Sequence, residues 1–152
     1  MVDTDDNFFT RKQLMVFYVL SLLVLIFSQV LCVVIGDWLV PSVDQTYYTN
    51  DLPSIFSMLL SISVMPLFEE WLFRKKAITF FNRYLPYLAS ICVSSLLFSF
   101  SHLQVYFVPY FVAGLIYSYV YLKTGRLWFS VLLHASYNGV SLGLFLWEVG
   151  LF

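Results

Sequence analysis

Long apolar runs dominate the chain, with short polar connections between them. Five runs can be drawn, at residues 14–35, 53–68, 86–101, 105–122 and 127–147. Each approaches the about 20 apolar residues that a helix needs to cross the hydrocarbon core of a bilayer. Because backbone polar groups find no partners in lipid, such runs are expected to be helical. The pattern predicts an all-α, polytopic membrane helix bundle with about five transmembrane helices.

Composition supports the same class of protein. The chain has 152 residues, of which 61% are hydrophobic and only 11% are charged, whereas soluble domains have about 25% charged residues. We therefore predict a single membrane domain over residues 1–152, surrounded by membrane lipid. The first run contains 22 uncharged residues, which is longer than the apolar region of a signal peptide, so it is interpreted as a retained transmembrane helix.

The positive charges predict an orientation. All eight Lys and Arg residues lie in the N-terminal flank, in the connection between the second and third runs, or in that between the fourth and fifth. An alternating path places these three positions on one side, and the positive-inside rule then predicts a cytoplasmic N-terminus. There is no basic patch large enough for nucleic acid, so that class of partner is excluded.

Ionisable and amide side chains inside or beside apolar runs are the candidates for function. A charge at the bilayer centre costs about 2.5–3.5 kcal/mol on insertion scales, so such a residue is a functional-site hypothesis by default. The candidate residues are Glu69, Glu70, Arg74, His102, His134 and Asn138.

The second run carries two glutamates with different predicted roles. Glu70 and Arg74 are four residues apart on one helix face, in the favourable order for an ion pair. Glu69 points about 100° away from Glu70 and is left free to face a cavity as a general base. The alternative is that both glutamates are solvated among lipid head groups. For Glu69 to reach the depth of His102, the second helix must continue to about residue 81, and the turn after His102 must lie inside the protein.

Pro66 is predicted to bend this helix, either as an ordinary membrane-helix proline or to admit water beside Glu69. In the fifth run, Ala135, Gly139 and Gly143 form a ridge of small residues that favours close helix packing, for which internal packing is the preferred interpretation.

The two histidines and Glu69 are compatible with two chemistries. Glu69, His102 and His134 together form a ligand set that suits catalytic zinc. Alternatively, Glu69 and His102 activate a water without a metal, while His134 and Asn138 donate hydrogen bonds to the oxyanion that forms when this water attacks a peptide carbonyl.

Three motifs, each assigned to its own helix, resemble the signature of a known family. They are Glu69-Glu70-x-x-x-Arg74, Phe98-x-x-x-His102 and His134-x-x-x-Asn138. This order is similar to that of the CPBP family, the CAAX proteases and bacteriocin-processing or self-immunity (Abi) proteins, which include type II CAAX prenyl endopeptidases. The resemblance covers residues 53–147.

The resemblance implies an intramembrane endopeptidase that acts on a hydrophobic or lipidated peptide. It assigns Glu69 and His102 to the water, His134 and Asn138 to the oxyanion, and Glu70 and Arg74 to support of the site. Members of the family are often labelled metalloproteases, but we favour the metal-free mechanism, with no cofactor. The short chain favours small bacterial members of the plasma membrane, linked to bacteriocin immunity or peptide maturation.

Two other classes of function are compatible with the same residues. A membrane immunity or binding protein could use the polar cluster to pack helices or to bind a partner, without turnover. A proton-coupled transporter would also bury Glu and His, but no inverted repeat is visible in the sequence. The sequence does not determine the oligomeric state.

Overall fold

The structure is a computed structural model that describes residues 10–39, 54–104 and 106–151. Within those ranges all regular structure is helical, and it forms five rods. The helical elements are α1 (Arg11–Leu39), α2 (Ile55–Ile62), α3 (Val64–Glu70), a π-helical segment (Trp71–Ala77), α4 (Ile78–Phe81), α5 (Tyr87–Ser101), α6 (Val108–Thr124) and α7 (Leu127–Glu148). The predicted all-α bundle of about five helices is confirmed.

The lengths of the rods identify a multi-pass membrane protein. The stretches Arg11–Trp38, Ile55–Phe81 and Leu127–Glu148 are long and apolar enough to cross a bilayer, and α5 is a shorter apolar helix. Many large hydrophobic side chains point outward, including Phe27 and Phe56. An exposed apolar surface of this extent requires lipid around it.

The bounds of α1 and α2 differ from the prediction at one loop. The sequence predicts a loop over residues 36–51, between the first two runs. Helix α1 continues to Leu39, so Gly36 is helical instead. The sequence also predicts that the second helix starts at Pro53, with Asn50 and Asp51 as possible caps. These residues lie outside the described ranges. Ser54 is the observed N-cap of α2, and its Oγ accepts a hydrogen bond from the Ser57 backbone N–H at 3.1 Å.

The second rod is a composite of α2, α3, the π-helical segment and α4, and it ends at Phe81 as the depth argument requires. The rod is interrupted at Ser63, where φ is −125° and ψ is −75°. Pro66 accounts for this position, since a proline ring clashes with the carbonyl four residues earlier, which here belongs to Ile62. The bend therefore lies before the proline and just before the Glu69-Glu70 pair.

The α5–α6 contact is close because small residues line it. Ser90, Ser94, Ser95 and Ser99 are buried on α5. A Cβ atom added to Gly114 of α6 would lie 3.0 Å from Ser95 Cβ and 3.3 Å from Phe98 Cδ1. Glycine at position 114 therefore allows the two backbones to approach, and this brings α6 against Phe98.

The small-residue ridge of α7 does not pack inside the protein. Gly139 and Gly143 are exposed, and a Cβ atom added to either would meet nothing within 4 Å. The interpretation of this ridge as an internal packing surface is wrong, because α7 turns its other face, with Phe129, Leu133 and His134, toward the core.

The turn after α5 also departs from expectation. Leu103 is 91% exposed and adopts a positive φ of 55°. The turn was expected to lie inside the protein, and that expectation is wrong for Leu103. The His102 side chain, in contrast, is only partly exposed.

Candidate active site

Glu70 is the centre of a buried polar cluster between α3, the π-helical segment and α7. Its Oε2 lies 3.1 Å from Arg74 Nε, which confirms the predicted ion pair. The same oxygen accepts a hydrogen bond from Ser130 Oγ, and Oε1 lies 3.0 Å from His134 Nδ1. The carboxylate is fully buried, so its three partners replace the water that it has lost.

Arg74 provides the positive charge that makes burial of Glu70 possible. Its side chain is also fully buried. Nη2 donates to the Gly114 carbonyl at 3.2 Å, and the guanidinium carbon lies 4.4 Å from the centroid of the Phe98 ring. The planar guanidinium thus combines an ion pair, a backbone hydrogen bond and a cation–π contact, a combination that lysine does not reproduce.

The Glu70 carboxylate determines how the His134 ring is protonated. A carboxylate paired with arginine can only accept a hydrogen bond, so His134 Nδ1 must carry the hydrogen. The ring stacks on Tyr117 at a centroid distance of 4.6 Å and an interplanar angle of 17°. The hydrogen bond and the stacking hold the ring so that Nε2 faces Glu69, whose Oε2 lies 3.7 Å away.

Glu69 differs from its neighbour in exposure and in partners. Its side chain is 17% exposed, whereas that of Glu70 has no exposed surface. The 3.7 Å separation from His134 Nε2 is too long for a direct hydrogen bond. Glu69 is therefore the carboxylate of this pair that can meet a water or a substrate, and the imidazole is beside it.

His102 reaches the same region from the C-terminal end of α5. Its Nδ1 lies 2.8 Å from the Phe98 carbonyl, which can only accept, so Nδ1 carries the hydrogen and Nε2 of the neutral ring is an acceptor. The ring stacks on Tyr110 at 4.1 Å. The ring of Phe98, which contacts both imidazoles, connects His102 to His134.

Phe98 separates the two imidazoles and contacts both. Its ring centroid lies 4.7 Å from that of His102 and 5.7 Å from that of His134, in edge-on arrangements. Phe98 is almost fully buried. One aromatic ring thus fixes the relative positions of both histidines and of Arg74.

Asn138 lies one helical turn beyond His134 on α7. Its Nδ2 donates to the Ser61 carbonyl at 2.8 Å, a bond that joins α7 to the last turn of α2. An amide nitrogen carries two hydrogens, so one remains for another acceptor after this bond is made.

The structure brings all six predicted residues into one region of the bundle. Glu69 and Glu70 face the two ring nitrogens of His134, and Arg74 pairs with Glu70. His102 is connected to His134 through Phe98, and Asn138 is bound to Ser61. Sequence reasoning missed Ser130, Tyr117 and Tyr110. Ser130 could have been found, because it precedes His134 by four residues and so shares its helix face.

The alternative zinc set does not assemble in the described ranges. No group of three or more His, Cys, Asp or Glu side chains there is placed to hold a metal ion. Both nitrogens of His134 face carboxylates, and His102 Nδ1 faces a carbonyl. Metal independence stays a prediction.

The fold and the polar cluster define a polytopic membrane protein with paired carboxylates and two imidazoles inside its bundle. Residues 51–140 match the model of the type II CAAX prenyl endopeptidase Rce1-like family. The chain belongs to this family.

A curated relative is the membrane-embedded CAAX protease MroQ of Staphylococcus aureus (strain USA300). The two sequences are 32% identical over 130 residues, which cover 77% of this chain and 52% of the relative. The chain thus spans about half the length of that protein. No solved structure matches the chain.

Proposed function

We propose that this chain is an intramembrane endopeptidase that hydrolyses a peptide bond in a hydrophobic or lipidated peptide with a water activated by Glu69. The observation that carries the proposal is the contrast between two adjacent carboxylates. Glu70 is buried and saturated by three partners, whereas Glu69 is partly exposed beside an imidazole. Membership in a family of endopeptidases supports the same reaction class.

In the first step, Glu69 takes a proton from the water while its oxygen attacks the carbonyl carbon of the substrate. His102 assists because its Nε2, the nitrogen left free by the Nδ1 contact with Phe98, accepts a hydrogen bond from the O–H that stays on the attacking oxygen. The products of this step are a tetrahedral oxyanion and a protonated Glu69. General-base assistance of this kind contributes about 10²–10⁴-fold to a rate.

In the second step, the oxyanion collapses, the carbon–nitrogen bond breaks, and Glu69 returns its proton to the leaving amine. His134 and Asn138 stabilise the oxyanion by donating from Nε2 and Nδ2. Donation from Nε2 requires that His134 is an imidazolium, because Nδ1 already carries a hydrogen toward Glu70. Two carboxylates, one guanidinium and one imidazolium give a cluster without net charge, which suits a medium of low dielectric constant.

The substrate class rests on the location of the site. A site inside a membrane bundle favours peptides that partition into lipid, and the relative's description as a CAAX protease indicates that a C-terminal Cys-a-a-X peptide is a reasonable probe. A role in bacteriocin self-immunity or in peptide maturation is compatible with such a reaction. The alternative from the sequence is an immunity or binding protein without turnover. The experiment below distinguishes it from a protease.

The test compares Glu69→Gln with Glu148→Gln in purified protein reconstituted into liposomes. The probes are a farnesylated peptide ending in Cys-a-a-X and the same peptide without the lipid. We expect Glu69→Gln to lower cleavage by about 10²–10⁴-fold, while Glu148→Gln, at the far end of α7, retains it. Full activity of Glu69→Gln at equal abundance would refute the role of Glu69. A wild-type protein that cleaves neither probe would favour the binding protein.

A further inference from the structure

A groove between α1 and the start of α7 lies apart from the candidate active site. Its volume is about 390 Å³, within the range of small-molecule sites. It is lined on one side by Arg11, Leu14, Met15 and Tyr18, and on the other by Arg126, Trp128, Phe129 and Leu132. Both walls begin with an arginine and continue with apolar or aromatic side chains.

The two arginines lie at one end of the groove, and Tyr18 lies toward the other. At 1.5 Å per residue, Tyr18 lies about 10 Å along α1 from Arg11. The Tyr18 hydroxyl forms a hydrogen bond with Ser136 Oγ at 2.6 Å, and its ring lies 6.5 Å from that of Phe129. These contacts hold the Tyr18 ring against α7, and the residues between the arginines and Tyr18 form an apolar wall.

Arg11 and Arg126 are the only charged residues among those that line the groove. An arginine can lay its apolar stem along such a wall while its guanidinium group extends to the membrane surface. Arg11 and Arg126 come from distant parts of the chain, yet they flank one opening. No ion pair among the described residues engages either guanidinium. Guanidinium groups match phosphate geometry, and basic pockets between transmembrane helices bind anionic lipid head groups.

Trp128 places this end of the groove at the membrane surface. Its ring stacks on Phe129 at 3.9 Å and remains half exposed, the position that interfacial tryptophans adopt at head-group level. A phosphate bound there would be joined to acyl chains at the depth of the apolar wall. A soluble anion would contact the two arginines but would leave the apolar wall uncovered.

We propose that this groove binds a phospholipid with an anionic head group, the phosphate between Arg11 and Arg126 and the first part of an acyl chain along the wall. This site is separate from the residues assigned to peptide hydrolysis and does not rest on the proposed function. The occupant is one specific lipid, not the general lipid annulus, because both helices contribute to a single opening.

Trp128 reports occupancy if it is the sole tryptophan, so the parent for the test is Trp38→Phe/Trp71→Phe/Trp147→Phe. The protein is reconstituted in phosphatidylcholine vesicles with a minor fraction of dibrominated lipid, either phosphatidylglycerol or phosphatidylcholine. Brominated phosphatidylglycerol should quench Trp128 fluorescence more than brominated phosphatidylcholine at the same mole fraction. Equal quenching by both lipids would overturn the proposal.

Two charge-matched variants separate the groove from the general surface charge. Arg11→Gln/Arg126→Gln should reduce the relative affinity for phosphatidylglycerol by about fivefold per arginine, which corresponds to about 1 kcal/mol per cation near an anionic surface. Lys12→Gln/Lys123→Gln removes two neighbouring exposed cations that do not line the groove, and it should retain the preference. An equal loss in both variants would refute the site.

A third variant tests the apolar wall while both arginines remain. Leu132→Phe adds volume to a half-exposed wall position and should abolish the preference for phosphatidylglycerol. A preference unchanged by Leu132→Phe would show that the arginines act as surface charges only, and it would overturn the groove as the site. Monodisperse elution of each variant shows that the bundle is intact.

Discussion

The Oε1 atom of Glu70 lies 3.0 Å from His134 Nδ1, and this contact connects the second rod to α7 inside the bundle. Because the carboxylate is fixed by its neighbours, it imposes both the orientation and the Nδ1–H form of the imidazole. The opposite nitrogen then faces Glu69. The buried carboxylate of Glu70 therefore determines which nitrogen of His134 faces the partly exposed carboxylate of Glu69.

Arg74→Met should destabilise the bundle strongly. The substitution leaves Glu70 as a buried charge without its counter-ion, an effect that costs about 3–5 kcal/mol. The measurement is the unfolding free energy in detergent. Glu70→Gln/Arg74→Met removes both charges and should cost less than the sum of the two single substitutions. Additive losses would show that the two side chains do not stabilise each other.

Ser130→Ala should lower both stability and turnover. It removes a donor to Glu70 and leaves a carboxylate lone pair buried without a partner, at a cost of about 1–3 kcal/mol. Ser141→Ala is the matched control, since Ser141 is exposed on the same helix, and it should change stability by less than about 0.5 kcal/mol. Thermal unfolding and cleavage of the farnesylated peptide are the two measurements. A neutral Ser130→Ala would show that the hydroxyl does not support Glu70.

Gly114→Ala should separate α5 from α6. The added methyl group would lie 3.2 Å from Ser95 Cα and 3.3 Å from Phe98 Cδ1, and overpacking of this kind costs about 1–3 kcal/mol. Gly139→Ala is the control, because its Cβ meets nothing and alanine favours a helix by about 1 kcal/mol. The midpoint of thermal unfolding should fall in Gly114→Ala and rise in Gly139→Ala. A shift in the same direction would contradict the close approach at position 114.

The helices were predictable from the sequence because an apolar run long enough to cross the hydrocarbon core of a bilayer is expected to be helical. The Glu70–Arg74 pair was predictable because residues four apart share a helix face. The extension of the second rod to Phe81 followed from the need to bring Glu69 to the depth of His102.

The remaining features depend on contacts between distant parts of the chain. Packing against α6 and the second rod decides which face of α7 points inward. The spacing of small residues alone therefore placed Gly139 wrongly on an internal packing surface. The Asn138–Ser61 bond joins residues 77 positions apart, and helical periodicity gives no sign of it. The π-helical segment after Glu70 has no local sequence signature either, yet it is where Arg74 turns toward Gly114.

Chelation should leave cleavage unchanged if Glu69 acts without a metal. The described residues hold no group of three or more His, Cys, Asp or Glu side chains suited to a metal ion. The purified protein is treated with EDTA or 1,10-phenanthroline, cleavage of the farnesylated peptide is measured, and bound zinc is measured by mass spectrometry. Loss of activity that returns with added zinc would refute the metal-free mechanism.

The protonation of both histidines can be tested directly, because His102 and His134 are the only histidines in the chain. Protein labelled with ¹⁵N-histidine contains two ring systems, whose nitrogen shifts distinguish an N–H from a bare acceptor. We expect a hydrogen on Nδ1 of both rings, since each Nδ1 faces an atom that can only accept. His102 should show a bare Nε2, the atom proposed to bind the attacking water.

Substitution of Glu70 distinguishes the ring-nitrogen signals of His134 from those of His102. Glu70→Gln removes the carboxylate that holds His134 Nδ1–H, so the His134 signals should shift while those of His102, held by the Phe98 carbonyl, stay in place. A hydrogen on His102 Nε2 in the unsubstituted protein would contradict its role as acceptor for water. Unchanged His134 shifts in Glu70→Gln would contradict control of that ring by Glu70. Since this measurement needs no substrate, it tests the arrangement of the site independently of what the enzyme cleaves.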